Sequence, residues 1–318
     1  MRIDRSKKLN LIGLLLLFLA TICWGTSFFI LKETISEVPT FFVIAVRFII
    51  AGIGLALIFI KKMKSINKQT FLRGLVLGVC LTAAYMTQTI GLENTTPGRN
   101  AFLTSSYCVM CPFIIWLLFK KKPKLYNVIS AVLCIVGIGL VALSNAQGVG
   151  DNTLFGDSLT LISAIFFGLQ IIFIDKFQNQ GHDTIRLLVV QLLTVGVIFA
   201  LSSVIFELPK EGIIGYALST DQILKIGYLT LACTLFAQFA QITGQKFTSP
   251  NQASIVLSLE SVFGVLFSVI FAGEILTPTI IVGFVVIFMA IMISELKLNP
   301  LSLFKYKKAS NEDAKKGD

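Results

Sequence analysis

Charge is scarce in this chain. Only 14% of its 318 residues are Asp, Glu, Lys or Arg, and there is one histidine, His182. A soluble chain carries about a quarter charged residues, so a soluble globular domain is excluded at the outset. A single histidine leaves no His cluster to hold a metal and no intramembrane imidazole to activate a serine. No G-x-x-x-x-G-K-[ST] occurs, which excludes ATP hydrolysis by this chain, and no cofactor is expected. Gly148-Val-Gly-Asp151 has the look of a protease motif but sits in a short loop without a second aspartate in a span. The six cysteines, Cys23, Cys80, Cys108, Cys111, Cys134 and Cys233, all fall in apolar runs, and Cys108-Val-Met-Cys111 lacks any soluble redox domain around it. They read as small buried thiols.

What is abundant is apolar sequence. Ten runs of about twenty residues, each long enough to cross a hydrocarbon core of about 30 Å, lie near 10–31, 40–60, 71–91, 99–119, 126–145, 155–174, 186–206, 222–243, 251–272 and 277–295. In lipid each must satisfy its own backbone groups, so these are helices and the fold is an all-α membrane protein. The first run is too long for a signal-peptide core and is read as a retained helix.

The charges present are sorted by side. With the N-terminus inside, the cytoplasmic segments collect Arg2, Arg5, Lys7 and Lys8, then Lys61, Lys62, Lys64 and Lys68, then Lys120, Lys121, Lys122 and Lys124. The opposite segments hold few bases, Arg99 among them, beside acids such as Glu33, Glu37, Glu93, Asp157 and Glu207. This is the positive-inside pattern, and it predicts a multi-pass protein of a bacterial-type cell membrane with both termini cytoplasmic. The net charge of +10 is therefore a membrane signature, including an attraction to anionic lipid, and not the footprint of a nucleic-acid binder.

The chain is also duplicated. Gln88–Pro97 and Gln241–Pro250 both read Q-x-x-G-x-x-x-T-[ST]-P, each between two apolar runs. At the same offset Tyr85 faces Gln238, Ser105 faces Ser258 and Tyr107 faces Glu260; earlier, Gly13 matches Gly156, Trp24 matches Phe167 and Gly25 matches Gly168. Five spans per half is an odd number, so the halves enter the membrane in opposite senses as two inverted five-helix repeats. The expected units are residues 1–150, residues 151–298 and a basic cytoplasmic tail, 299–318.

Polar residues inside such helices face a partner helix or a wet cavity. Thr234, Gln238, Gln241 and Gln245 form a stripe at helical spacing, and Tyr85 with Gln88 is the equivalent face in the first half. The repeat should bring these onto opposite walls of one central cavity, where they would bind a small-molecule substrate. Trp24 with Ser27 and Phe167 with Gln170 form a second matched pair. Glu260 falls roughly 15 Å into its span, and Arg47 about 10 Å into its own. Two readings stay open for them: a structural clamp, made by an Arg47–Glu260 pair or by backbone bonds, or coupling to protons through Glu260. Thr96-Pro97 and Ser249-Pro250 are helix starts, with a hydroxyl at the N-cap and proline at N1.

Trp24-Gly-Thr-Ser-Phe28 followed by Lys32, Phe41–Arg47 leading into Ala51, and Ala253–Glu274 ending in Gly273-Glu274 before Leu276-Thr277 together resemble the drug/metabolite transporter superfamily, in particular its tandem EamA-like domains. The resemblance covers almost the whole chain. It departs at Lys121, where an acid is common, and at Val265, where proline is common. It implies secondary transport of small organic solutes by alternating access, driven by protons or by exchange. The rivals are a passive channel, which would need a continuous polar pore, and a membrane-embedded enzyme, which would need convergent nucleophile and base groups.

Overall fold

The structure, a computed structural model, describes residues 5–64, 66–143, 153–207, 218–248 and 250–295. Ser249, Gly148–Asp151 and the 299–318 tail lie outside them. Among the described residues every regular element is helical: α1 (Arg5–Ile35), α2 (Thr40–Ile58), α3 (Lys68–Glu93), α4 (Pro97–Phe119), α5 (Leu125–Leu143), α6 (Thr153–Asn179), α7 (Thr184–Glu207), α8 (Thr220–Phe247), α9 (Pro250–Phe271) and α10 (Pro278–Glu295). Seven of these are long and apolar enough to cross a membrane, while α5, α9 and α10 contain shorter apolar stretches.

Helix starts follow from local chemistry. Asn67 accepts from Thr70 N at the head of α3, Thr96 accepts from Arg99 N with Pro97 at N1 of α4, and Ser219 forms a capping box with Gln222 at α8. Asp183 accepts from the amides of Ile185 and Arg186 at α7. Burial opposes ionisation of Asp183, but the Lys62 ammonium and those two amides outweigh it and hold its carboxyl below the usual range.

The surface is inside out relative to a soluble protein. Leu57, Leu117, Ile135, Leu154 and Leu201 are exposed, whereas Thr160, Gln191, Thr234, Ser258 and Ser268 are fully buried. An apolar exterior over a polar interior is what a lipid solvent selects.

The packing carries the duplication into three dimensions. α1 packs on α8 and α9, α6 on α3 and α4, α2 on α7, and α5 on α10. Exchanging each helix with the one five places along leaves those pairs unchanged. The close approaches match residue by residue. A Cβ on Gly244 would lie 2.8 Å from the Gly13 carbonyl, and one on Gly91 would lie 2.8 Å from the Gly156 carbonyl. Gly91 and Gly244 are the glycines of the repeated Q-x-x-G motif. In the same way Gly52 abuts Leu193 and Gly196 abuts Ile49, each at 2.8–3.3 Å from the facing backbone nitrogen to the missing Cβ. Small residues at these crossings let backbones meet where lipid offers no hydrophobic drive to association.

Candidate functional site

At the centre of the bundle α1, α2, α3, α4, α6, α8 and α9 enclose a narrow cavity of about 50 Å³. All eight residues expected to bind substrate line it, together with Arg47 and Glu260, while Thr234 and Gln245 of the α8 stripe do not: Trp24 and Ser27 come from α1, Arg47 from α2, Tyr85 and Gln88 from α3. The other half supplies Phe167 and Gln170 from α6, Gln238 and Gln241 from α8, and Glu260 from α9. Phe28, Thr104, Tyr107 and Ile171 complete the wall. The repeat-related pairs Tyr85/Gln238, Gln88/Gln241 and Tyr107/Glu260 thus share one space.

Much of the wall is fixed by hydrogen bonds. Gln88 Nε2 donates to Thr104 Oγ1 at 2.9 Å, and Gln170 Nε2 to Gln191 Oε1 at 3.3 Å. The Tyr85 ring sits edge-on to Phe48 and to Phe167, with centroids 4.9 and 5.6 Å apart. In α8 the winding loosens to a π-helical segment, Leu231–Phe236, where the hydroxyl of Thr234 bonds back five residues to the Leu229 carbonyl at 2.9 Å. π-segments are rare and collect at functional sites. This one offers the Cys233 carbonyl to Trp24 Nε1 at 3.0 Å and the Thr234 hydroxyl to Arg47 Nε at 2.5 Å.

The expected Arg47–Glu260 pairing is not made. Arg47 is held by Thr234 and lies over the Phe48 and Tyr85 rings, 5.8 and 5.7 Å from their centroids. Its Nη1 is buried without a hydrogen-bond partner. Glu260 is 8% exposed.

Sequence reasoning missed the buried ion pair at the start of α4 and the contacts made around it by two of the motif residues, Lys32 and Glu274. Arg99, read as lying in an external segment, is fully buried in an ion pair with Asp157, which also accepts from Thr95 at 2.7 Å. Glu274 reaches across to the start of α4, taking the Gly98 amide at 2.9 Å and the hydroxyls of Thr96 and Ser268. Lys32 donates to the Leu92 and Glu93 carbonyls at 2.6 and 2.7 Å. Their one sequence signal is that Arg99 and Asp157 are charges whose repeat mates, Gln252 and Leu14, are neutral.

The opposite, lysine-rich end is open. There a second cavity of about 600 Å³ runs between α4 and α6, lined by Cys111, Ile115, Phe119 and Lys121 on one side and Asp175, Lys176 and Gln178 on the other. Gln245, the last residue of the α8 stripe, faces it. Tyr107 and Ile171 line both cavities, so the two adjoin at these side chains. Cys108 and Cys111 line this larger cavity and are not joined in a disulfide. His182 at the same end is tied to Thr70 at 2.9 Å.

An apolar-skinned helical bundle, duplicated around a polar cavity that adjoins a larger one at the lysine-rich end, is the architecture of a membrane transport protein. The chain belongs to the EamA-like transporter family, whose sequence profile matches residues 11–143 and again 154–296. An uncharacterized transporter of Archaeoglobus fulgidus is 31% identical over 284 residues, covering 89% of this chain and 85% of its own length. The uncharacterized transporter YoaV of Bacillus subtilis is 23% identical over 266 residues, covering 83% and 89%. A solved crystal structure superposes with a TM-score of 0.65 at 15% identity, over 94% of this chain and 99% of that one, which speaks to the fold alone.

Proposed function

We propose that the chain is a secondary carrier of small organic solutes that works by alternating access, with the central cavity as its binding site. The observation that carries this reading is that both halves contribute repeat-related polar residues to one central cavity, which adjoins a larger one at the lysine-rich end. Ten spans, in two inverted halves, put the lysine-rich mouth in the cytoplasm by the positive-inside rule, so the conformation is inward-facing. In this reading Gln88 and Gln241 bind solute directly. Replacing either by leucine should raise KM several-fold in reconstituted uptake while leaving insertion and yield unchanged. An unchanged KM in both variants would make these amides helix glue and move the binding site elsewhere.

Transport draws on a proton gradient or on exchange, with Glu260 as the coupling carboxylate. A lone buried carboxylate is tolerated only with a proton or a cation beside it. Glu260→Gln should therefore keep solute exchange across the bilayer and lose accumulation driven by a pH gradient. Full pH-driven accumulation in that variant would remove Glu260 from coupling.

A further inference from the structure

We propose that the second half of α4 is the gate of the basic end, latched when shut by an ion pair between Lys121 and Asp175. This gate rests on the alternating-access reading and adds to it the moving element and what holds that element shut. α4 is two stretches in one, with regular winding interrupted at Ser106, between Pro97–Ser105 and Tyr107–Phe119. All residues of the first stretch are buried, and Arg99–Asp157 pins it. In the second only Tyr107, Cys108 and Val109 are buried, and Pro112 removes a backbone donor from its middle.

This second stretch stands between two cavities. The one of about 600 Å³ separates it from α6, and another of about 330 Å³, reaching Tyr126 and Ser294, lies towards α5 and α10. Cys111, Ile115 and Lys121 line both. A helix interrupted at its base, lightly packed and with space on two sides is the part of the bundle free to swing. Lys176 of α6 already lies over the Phe119 ring, 5.2 Å from its centroid, so the two helix ends are within side-chain reach.

What holds it shut follows from the acidic end, where α1 and α9 already meet through Phe29 and Phe271. There Lys32 of α1 binds the last carbonyls of α3, and Glu274, just past α9, takes the Gly98 amide at the head of α4. Each charge suits its helix end, a cation at the carbonyls and an anion at the amides. The repeat mates of these two residues are Asp175 and Lys121, at the offsets of Trp24/Phe167 and Tyr107/Glu260. Both signs are reversed. A copied closure would set Asp175 against the last carbonyls of α8 and Lys121 against the first amides of α9, wrong at both ends. The reversed charges match each other instead. They line the larger cavity from α6 and from the end of α4, both exposed, and neither is in an ion pair among the described residues. Asp175 is also the one carboxylate among the described residues of that cavity wall.

Spin labels at Phe119 and Gln178, in the cysteine-free full chain in lipid nanodiscs, read the fraction of molecules with a short α4–α6 distance. Asp175→Asn and Lys121→Gln should each lower that fraction by about threefold or more, and the double neutralisation should lower it no further. Exchanging the charges, Lys121→Asp with Asp175→Lys, should return it to within about twofold of the parent. Lys122→Gln, which removes a neighbouring charge outside the larger cavity, should leave it unchanged. Losses that multiply, no recovery on exchange, or an equal loss from Lys122→Gln would overturn the latch; the α4–α6 distance still varies in those cases, so the carrier reading survives. One open α4–α6 distance in every variant, beside a varying distance between labels at Ala272 and Ile35, would overturn the gate alone. No variation at either end would overturn the gate and the carrier reading together.

Discussion

The pair α6/α4 and its repeat mate α1/α9 are built alike and packed differently. Between α1 and α9 a Cβ on Gly25 would lie 2.4 Å from the Phe263 Cβ and 3.0 Å from its backbone carbon, so the helices touch backbone to backbone. Further along, Phe29 stacks on Phe271 with centroids 5.2 Å apart. Between α6 and α4 a Cβ on the mate of Gly25, Gly168, would meet side chains, the tip of Ile114 at 3.0 Å and the Cys111 sulfur at 3.4 Å, with the nearest backbone atom, the Tyr107 carbonyl, at 3.9 Å. There the helices are pinned at the acidic end by Arg99–Asp157 and part towards the basic end around the larger cavity. One helix pair is thus seen closed and the other open. If the halves are interchangeable, the open arrangement of α6/α4 shows what α1/α9 adopts at the other stage of a cycle.

The largest way to break this comparison is to remove the pin. Asp157→Asn leaves the fully buried Arg99 uncompensated and should cost about 3–5 kcal/mol, read as a large drop in melting temperature. A melting temperature within a degree of the parent would mean that the acidic end is held by Glu274 and its partners instead. A smaller effect separates the two glycines. Gly25→Ala forces apart a backbone contact and should cost about 1–3 kcal/mol by overpacking, whereas Gly168→Ala displaces a flexible side-chain tip and should cost well under that. Equal losses would show the two crossings to be equally tight in solution.

The helices were legible because their apolar runs have no other solution in lipid, and the Q-x-x-G repeat made the duplication legible, though not that its glycines, Gly91 and Gly244, hold equivalent crossings. The lining of the cavity was legible for the same reason, since polar residues at helical spacing in matched halves have to meet. What was not legible depends on tertiary detail. Nothing in Leu231–Phe236 marks a π-segment, yet its released groups fix Trp24 and Arg47. Arg99 and Asp157 looked like ordinary charges of short loops, and only the fold of the α3–α4 turn over the start of α6 buries them. The opening of α4 from α6 is a property of one conformation, which a duplicated sequence leaves undetermined.

The claim that the two helix pairs exchange roles is tested most directly by distances measured in both at once. Spin labels at Phe119 and Gln178 report across α4 and α6 at the basic end, and labels at their mates Ala272 and Ile35 report across α9 and α1 at the acidic end. Pulsed electron spin resonance on the two pairs, in a cysteine-free background with and without a transported solute, should give two distances for each. The long distance in one pair should grow as the short distance in the other grows, shifting together when solute is added. A single unchanging distance in both pairs under every condition would contradict alternating access in this bundle.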